Sequence, residues 1–375
     1  MARTFGVTKS PTEITEFIEH QVKVNIENVK QGRPKYTVCI WGPKGVGKTD
    51  IVKQLEQREM VKHVISIPLA QIEEMGDIHG LPIKAKEEDS GRIVTQTAPP
   101  SWVPLVDEPG IVMFDDFNRA DLRIIKAFMQ LLQDGKTISW DLPPQYTIVL
   151  TANPEDDEYA VTALDPAMLT RMVHITLKPD VRSWLTWASA NKIDSRVQSF
   201  IARYKEQLNP GSERTCPRTW VMFADLIRDI QDLKNNLDYV KTYGWSVLDE
   251  EAVNTFIIFI NGELELVVEP ELICEEYTTN KAVRDKVLSA VSANRTDVVN
   301  IIFERLLAYL AAKGKVAVGS NTQKNVIALL EEDTISKDIK TTYVNLIGEA
   351  TQTNTGSFWL SSAKLAKHLR RVIAA

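Results

Sequence analysis

Gly42-Pro43-Lys44-Gly45-Val46-Gly47-Lys48-Thr49 has the form Gly-x-x-x-x-Gly-Lys-Thr, and residues of these types at this spacing are suited to holding phosphate. The three glycines let the backbone turn its N–H groups onto anionic oxygens, and a helix start just after them adds its positive end. Lys48 is placed to bridge the β- and γ-phosphates of ATP, and Thr49 to offer its hydroxyl to Mg2+. Asp50 completes a nucleotide-binding stretch from Gly42 to Asp50. Farther along, Asp115 and Asp116 end the apolar run Gly-Ile-Val-Met-Phe. A carboxylate at the C-terminal end of a buried strand lies over the nucleotide crevice of an α/β sheet. Asp115 therefore reads as the Mg2+-side carboxylate, acting partly through water, and Asp116 as the group that polarises the attacking water. Two carboxylates this close call for a cation or an arginine to neutralise them.

Asn153, in Leu-Thr-Ala-Asn-Pro, ends another apolar run. It either holds the attacking water against the γ-phosphate or makes an ordinary Asn-Pro turn, and the company of the other motifs favours the first. Arg171 and Arg218 are natural partners for the charge that grows on phosphate during hydrolysis, though either could be a surface arginine. Arg119 and Arg123 stand open between an intersubunit contact and a solvated helix face. Asp77 and His79 are two potential metal ligands, too few to make a site. His20, His63, His174 and His368 read as structural or surface residues.

The elements that must position these groups follow from hydrophobic periodicity. The spacing predicts a helix over 11–30, then buried strands at 36–41, 61–69, 110–116, 145–153 and 173–177, with helices after 48, from 124 to 132 and around 164–172. Alternating apolar strands and helices imply a mostly parallel sheet covered on both faces. The polar stretch 83–103 reads as a hairpin or insertion, and 137–141 as a short strand before a Pro-Pro turn. From 181 the pattern is helical, with segments at 181–190, 194–206, 218–235, 249–260, 282–293, 297–312, 322–332 and 336–349. Trp184 and Trp187, three apart on the first of these, read as core. Residues 265–277 are ambiguous between strand and helix, and 354–362 breaks the helical pattern before a short basic amphipathic end.

Composition bounds the rest. The chain has 375 residues, 44 % of them hydrophobic and 25 % charged, which excludes collagen-like, mucin-like and wholly disordered classes. Three cysteines are too few for a disulfide scaffold and imply a reducing compartment. No apolar run approaches the length of a membrane span and no secretory signal opens the sequence, so a cytoplasmic protein without membrane insertion is expected. A net charge of −6 argues against a wholly basic nucleic-acid surface while leaving room for a local patch such as Lys84 and Lys86, or the basic end at 367–371.

Residues 36–235 resemble the core and lid of an AAA+ ATPase, and specifically its MoxR branch. Phe-Asp-Asp-Phe-Asn-Arg-Ala-Asp-Leu-Arg at 114–123 is similar to that branch's Asp-Glu-x-Asn-Arg-Ala signature. The resemblance puts Walker A on Gly42–Thr49, Walker B on Asp115 and Asp116, and sensor 1 on Asn153. It puts the trans-acting arginine finger on Arg171 and sensor 2 on Arg218. It also implies insertions at 83–99 and in the 137–144 hairpin. Three departures stand out. Asp116 replaces the usual glutamate and is one methylene shorter, Thr170-Arg171-Met172 replaces Asp-Arg-Phe, and Cys216-Pro217-Arg218 replaces Ser-Pro-Arg.

The expected fold is thus an α/β P-loop AAA+ core with a mostly parallel five-stranded sheet between helices, followed by a helical lid and a mainly helical C-terminal region. The expected domains are a nucleotide-binding core with its N-terminal helix at 1–180, a lid at 181–265 and an extension of unassigned role at 266–375. The resemblance implies a ring, of six subunits, that uses ATP and Mg2+ to remodel a protein client as a chaperone, reached through a partner with a von Willebrand factor A domain. The alternatives are a nucleic-acid motor or loader and a nucleotide-gated scaffold ring with very slow hydrolysis.

Overall fold

A computed structural model describes residues 5–86, 91–155, 161–262, 264–353 and 355–373, with backbone alone for 371–373. Residues 87–90 of the expected insertion and the Arg371 side chain lie outside this set. The chain divides into two compact units, Met1–Lys178 and Pro179–Ala375.

The first unit begins with a short strand β1 (Val7–Lys9) and helix α1 (Pro11–Lys30). Ser10 caps α1 in a reciprocal box with Glu13, and Pro11 sits at the first turn, where its missing N–H has no partner to lose. Then follow β2 (Thr37–Trp41), α2 (Lys48–Lys53), β3 (His63–Pro68), α3 (Gly76–His79) and a hairpin of β4 (Leu81–Lys86) and β5 (Ile93–Ala98). After these come β6 (Gly110–Asp115), α4 (Leu122–Ala127), α5 (Met129–Asp134), β7 (Tyr146–Ala152), α6 (Pro166–Leu169) and β8 (Met172–Leu177).

Six strands form one all-parallel sheet in the order β1-β8-β2-β7-β6-β3. The five expected strands are all present, and β1 joins them at the edge beside β8. Strand alternation sorts their side chains onto two covered faces. Val38, Ile40, Ile111, Met113 and Val149 pack with Ile14, Ile18 and Val22 of α1. Cys39, Trp41, Val112, Phe114, Ile148 and Leu150 pack on the other face with Ile124, Ile125, Phe128 and Leu131. His174 is structural, as expected: Trp41 Nε1 donates to its Nδ1 at 3.0 Å, and its Nε2 lies 2.8 Å from the Leu169 carbonyl. The 137–141 stretch contains only an isolated bridge, Lys136 to Asp141, in place of a strand.

Lys35 ties the loop before β7 to the strand ahead of it. Its Nζ donates to the carbonyls of Pro144 at 3.1 Å and Tyr146 at 2.9 Å. Burial pushes the ammonium down to about 8, against an opposing pull from Asp107. Below pH 8 the group is charged in folded and unfolded states alike, and its desolvation cost is carried in full. Between about 8 and the ordinary 10.5 the unfolded chain holds a proton that the folded chain has released, so stability from this group rises with pH. Paired urea titrations of wild type and Lys35→Met should show the difference shifting toward wild type across that interval. A difference that stays flat contradicts the assignment.

The second unit is helical: α7 (Val181–Ala190), α8 (Ser195–Arg203), α9 (Pro217–Ile227), α10 (Leu237–Val247), α11 (Glu250–Gly262), α12 (Pro270–Glu276), α13 (Lys281–Ser292), α14 (Thr296–Lys313), α15 (Asn321–Glu331), α16 (Lys337–Ala350), α17 (Thr355–Trp359) and α18 (Ala363–Ile373). The ambiguous segment is helical at α12, and the helix expected to run to 235 ends at Ile227. Two apolar clusters hold this unit, one around Trp184, Phe200, Trp220 and Phe256, the other around Tyr277, Phe303, Tyr343 and Trp359.

Helix α14 serves both clusters, lending Ile301 and Ala308 to the first and Ile302, Phe303 and Leu306 to the second. Its two interior charges are paired: Glu304 accepts from Lys205 at 2.9 Å and from Arg182, and Arg305 holds Glu269 through both terminal nitrogens. An unpaired charge there would cost several kcal/mol, roughly 3–5. No helix among the described residues is long and apolar enough to cross a membrane.

Candidate nucleotide site

The parallel register brings the glycine-rich loop, Asp115, Asp116 and Asn153 to one edge. The glycine-rich loop follows the C-terminal end of β2, Asp115 ends β6, and Asn153 follows the end of β7. β7 lies between β2 and β6, so Asn153 stands between the loop and the aspartates. The loop is pinned to that central strand by Gly42 N–H donating to the Ala152 carbonyl at 3.2 Å. Its path requires glycine at two places: Gly45 and Gly47 adopt φ of +68° and +91°, a region that side chains with a Cβ avoid.

Lys48, 7 % exposed, is the first residue of α2. Its Nζ donates to the carbonyls of Gly42 at 2.7 Å and Pro43 at 2.9 Å, and to Asn153 Oδ1 at 3.1 Å. The other half of the Asn153 amide, Nδ2, donates to Asp116 Oδ1 at 2.9 Å. One neutral side chain thus joins the lysine to the second aspartate, using an acceptor and a donor as an amide can and a carboxylate cannot. Asn153 is itself clamped: its N–H donates to Asn118 Oδ1 at 3.0 Å, and Asn118 Nδ2 donates to its carbonyl at 2.8 Å.

Thr49 Oγ1 donates to the Asp115 carboxylate, lying 2.8 and 2.9 Å from its two oxygens. With its proton committed to Asp115, the hydroxyl keeps lone pairs for a hard cation, whose preferred ligands are oxygens. This donor set fits Mg2+ with Thr49 and Asp115 as the holding residues, and the loop with Lys48 fits a triphosphate. Asp116 is left-handed, with φ 52° and ψ 45°, a conformation that aspartate tolerates better than most residues. The turn aims its carboxylate at Asn153, and Arg119 Nε approaches Asp116 Oδ2 at 3.7 Å.

Arg171 is not at this edge. It directly precedes β8, whose Met172 pairs with Thr37 at the start of β2, whereas the loop follows Trp41 at the other end. The intervening run of strand is roughly 13 Å, longer than an arginine side chain can span. Its Nε donates to Gln133 Oε1 at 2.8 Å and its Nη1 to the Ala167 carbonyl. Arg218 is exposed in the first turn of α9 in the second unit. Arg123 pairs with Asp121 at 3.4 Å. Among the described residues, no group of three or more His, Cys, Asp or Glu side chains could hold a metal, and Asp77 accepts from the Glu74 N–H instead.

Two contributors were not assigned from sequence. Asn118 lies inside the 114–123 motif, and Thr151 is, with Thr147, one of two threonines in the mostly apolar strand β7, two before Asn153 and so on the same side. That alternation was the available signal.

Residues 37–172 match the family described as "AAA domain (dynein-related subfamily)". A comparison with curated proteins finds no match. Among solved structures, the chain is similar to a RuvB variant of Thermotoga maritima, with 11 % identity and a TM-score of 0.39, over 96 % of this chain and 98 % of that one. It is also similar to Hsp104 in a closed state with ATPγS and casein, with 13 % identity and a TM-score of 0.34, over 66 % of this chain and 43 % of that one. At such scores neither likeness bears on mechanism. The family match coincides with the strands and loop that carry the site, and it supports an AAA+ fold for residues 37–172.

Proposed function

We propose that the chain is a MoxR-like, ring-forming ATPase that hydrolyses ATP at subunit boundaries to remodel a protein client in the cytoplasm. The observation that carries this reading is the meeting of Lys48, Thr49, Asp115, Asp116 and Asn153 at one sheet edge. The loop backbone and Lys48 bind the phosphates, with Pro43, Lys44, Val46 and Asp50 completing the nucleotide-binding stretch. Thr49 and Asp115 would hold Mg2+, which when bound would supply charge neutralisation to the phosphates. Asp116 accepts a proton from the attacking water, and Asn153 orients that water beside it.

Arg171, out of reach of its own chain's loop, fits an action on the nucleotide of a neighbouring subunit. A heterologous contact repeated around a closed rotation gives a ring, here taken as hexameric. Arg218, in a lid spanning 181–265, would sense the same nucleotide, and 266–375 would adapt the ring to its particular client or to a von Willebrand factor A partner. The three cysteines are unpaired buried thiols, in keeping with a reducing compartment.

A specific observation favours a second reading, a nucleotide-gated scaffold. Asp116 is both shorter than glutamate and already engaged by Asn153 and Arg119. A steady-state assay with and without DNA decides among the readings. Mg2+-dependent turnover unaffected by DNA is expected. Stimulation by DNA would instead favour a nucleic-acid motor working through a patch such as Lys84 and Lys86. Tight binding and nucleotide-dependent assembly without turnover would favour the scaffold.

A further inference from the structure

We propose that Thr151 is a positioning residue for the Mg2+-side carboxylate and the water-polarising aspartate, an inference that rests on the ATPase reading above. Thr151 is fully buried on the central strand β7. Its Oγ1 donates to Asp115 Oδ1 at 2.5 Å and accepts from the Asp116 N–H at 2.9 Å. A hydroxyl has a single proton, so the two contacts fix each other: with the proton on the carboxylate, a lone pair is left for the amide.

The sheet explains why a side chain is needed here. Backbone pairing of β6 with β7 runs from Gly110–Tyr146 to Phe114–Leu150 and then ends. Asp116 has turned left-handed immediately beyond it, and its N–H points at Thr151 Oγ1. A buried N–H without an acceptor is costly, so the hydroxyl is part of what holds this turn. The same oxygen that holds the turn holds Asp115, whose other hydrogen bonds come from Thr49. Thr151 therefore sets the orientation of Asp115 toward Thr49 and that of Asp116 toward Asn153 from a fully buried position.

Thr151→Val keeps the shape and the β-branching while removing both hydrogen bonds. A merely structural threonine would lose melting temperature and nothing specific to the metal. The positioning role affects Mg2+-dependent steps first. The test measures binding of a fluorescent ATP analogue in Mg2+ and in EDTA, kcat and KM for ATP, and thermal melting, for wild type, Thr151→Val and Thr151→Ser.

In Thr151→Val, binding in EDTA should stay within about twofold of wild type, while the Mg2+-dependent gain in affinity should fall roughly tenfold or more, the scale of one hydrogen bond to a charged group. kcat should fall by a similar factor, and KM at saturating Mg2+ should rise in step with the weakened Mg2+-dependent binding. Thr151→Ser should restore most of both. If Thr151→Val melts too low to assay, Thr151→Cys, close in size with a weak S–H donor, replaces it under the same expectations.

A Mg2+-dependent gain and a kcat both within threefold of wild type would overturn the role of Thr151 and leave the ATPase reading standing. So would equal losses in the Ser and Val variants that track melting temperature alone. A wild type with no Mg2+-dependent nucleotide binding would overturn both together.

Discussion

Lys48→Ala should lower ATP turnover by roughly 10²–10³-fold or more and weaken nucleotide binding, because it removes the charge aimed at the transferring phosphate. The lysine is buried and bound to the carbonyls of Gly42 and Pro43 and to Asn153, which fix its ammonium beside the loop. The expected loss is large because the charge itself is removed from beside the loop, where at least one of these three N–H donors turns to the phosphate. Truncation also frees the Asn153 amide, which then keeps only its bond to Asp116. The loss should therefore exceed simple charge removal, with both phosphate and water-orienting contacts disturbed. Steady-state hydrolysis and equilibrium binding of labelled ATP check it. Unchanged turnover would sink the assignment of this loop.

The second large effect concerns Arg171. Arg171→Ala should reduce hydrolysis by about 10³-fold, the lower end for an arginine finger, while nucleotide affinity stays within a few-fold. Asp116→Asn should also be nearly inactive, since an amide cannot accept the proton of water, yet it keeps a hydrogen bond to offer Asn153. Neither variant turns over alone, but mixed subunits should recover activity. A working site needs Asp116 from its own chain and Arg171 from its neighbour, so equal random mixing restores about a quarter of the sites if they act independently. The measurement is ATPase rate against mixing ratio. A mixture as inactive as its components would show that Arg171 does not act across subunits, whatever its distance from its own loop.

The element types were largely readable because burial leaves a local trace. The helix Pro11–Lys30 and the strands over Thr37–Trp41, Gly110–Asp115 and Tyr146–Ala152 follow from a period near 3.6 or from short apolar runs bounded by turn residues. Where burial is slight the trace fades. Strand β1 is three mostly exposed residues that gain their place only by pairing with β8.

Helix α10 escaped detection for the same reason. Among its residues only Val240 and Gly244 are fully buried, and two of its three aromatic residues, Tyr239 and Trp245, face solvent. Gly244 weakens a helix signal by propensity, yet in the fold it is needed: a Cβ there would come within 2.7 Å of the Val253 side chain on α11. Long-range packing leaves no such trace either. Helix α14 lends Ile301 and Ala308 to the cluster built around 184–267, a contact between distant segments that no local pattern encodes.

By itself, the sequence determined the chemistry available: a glycine-rich loop ending in lysine and threonine, two aspartates after one apolar run, an asparagine after another, and two arginines beyond. Local residue types suffice for this because each group's reactivity and each strand's burial are properties of a few neighbouring positions. The tertiary structure decided which of them meet. It inserted β7 between β2 and β6, so that Asn153 links Lys48 to Asp116 and Thr151 links Asp115 to Asp116, and it placed Arg171 at the opposite end of the sheet. Strand order and register arise from crossovers spanning dozens of residues and from two helical layers that cover opposite faces of the sheet. That information lies in the packing of the whole unit and in no single stretch of it.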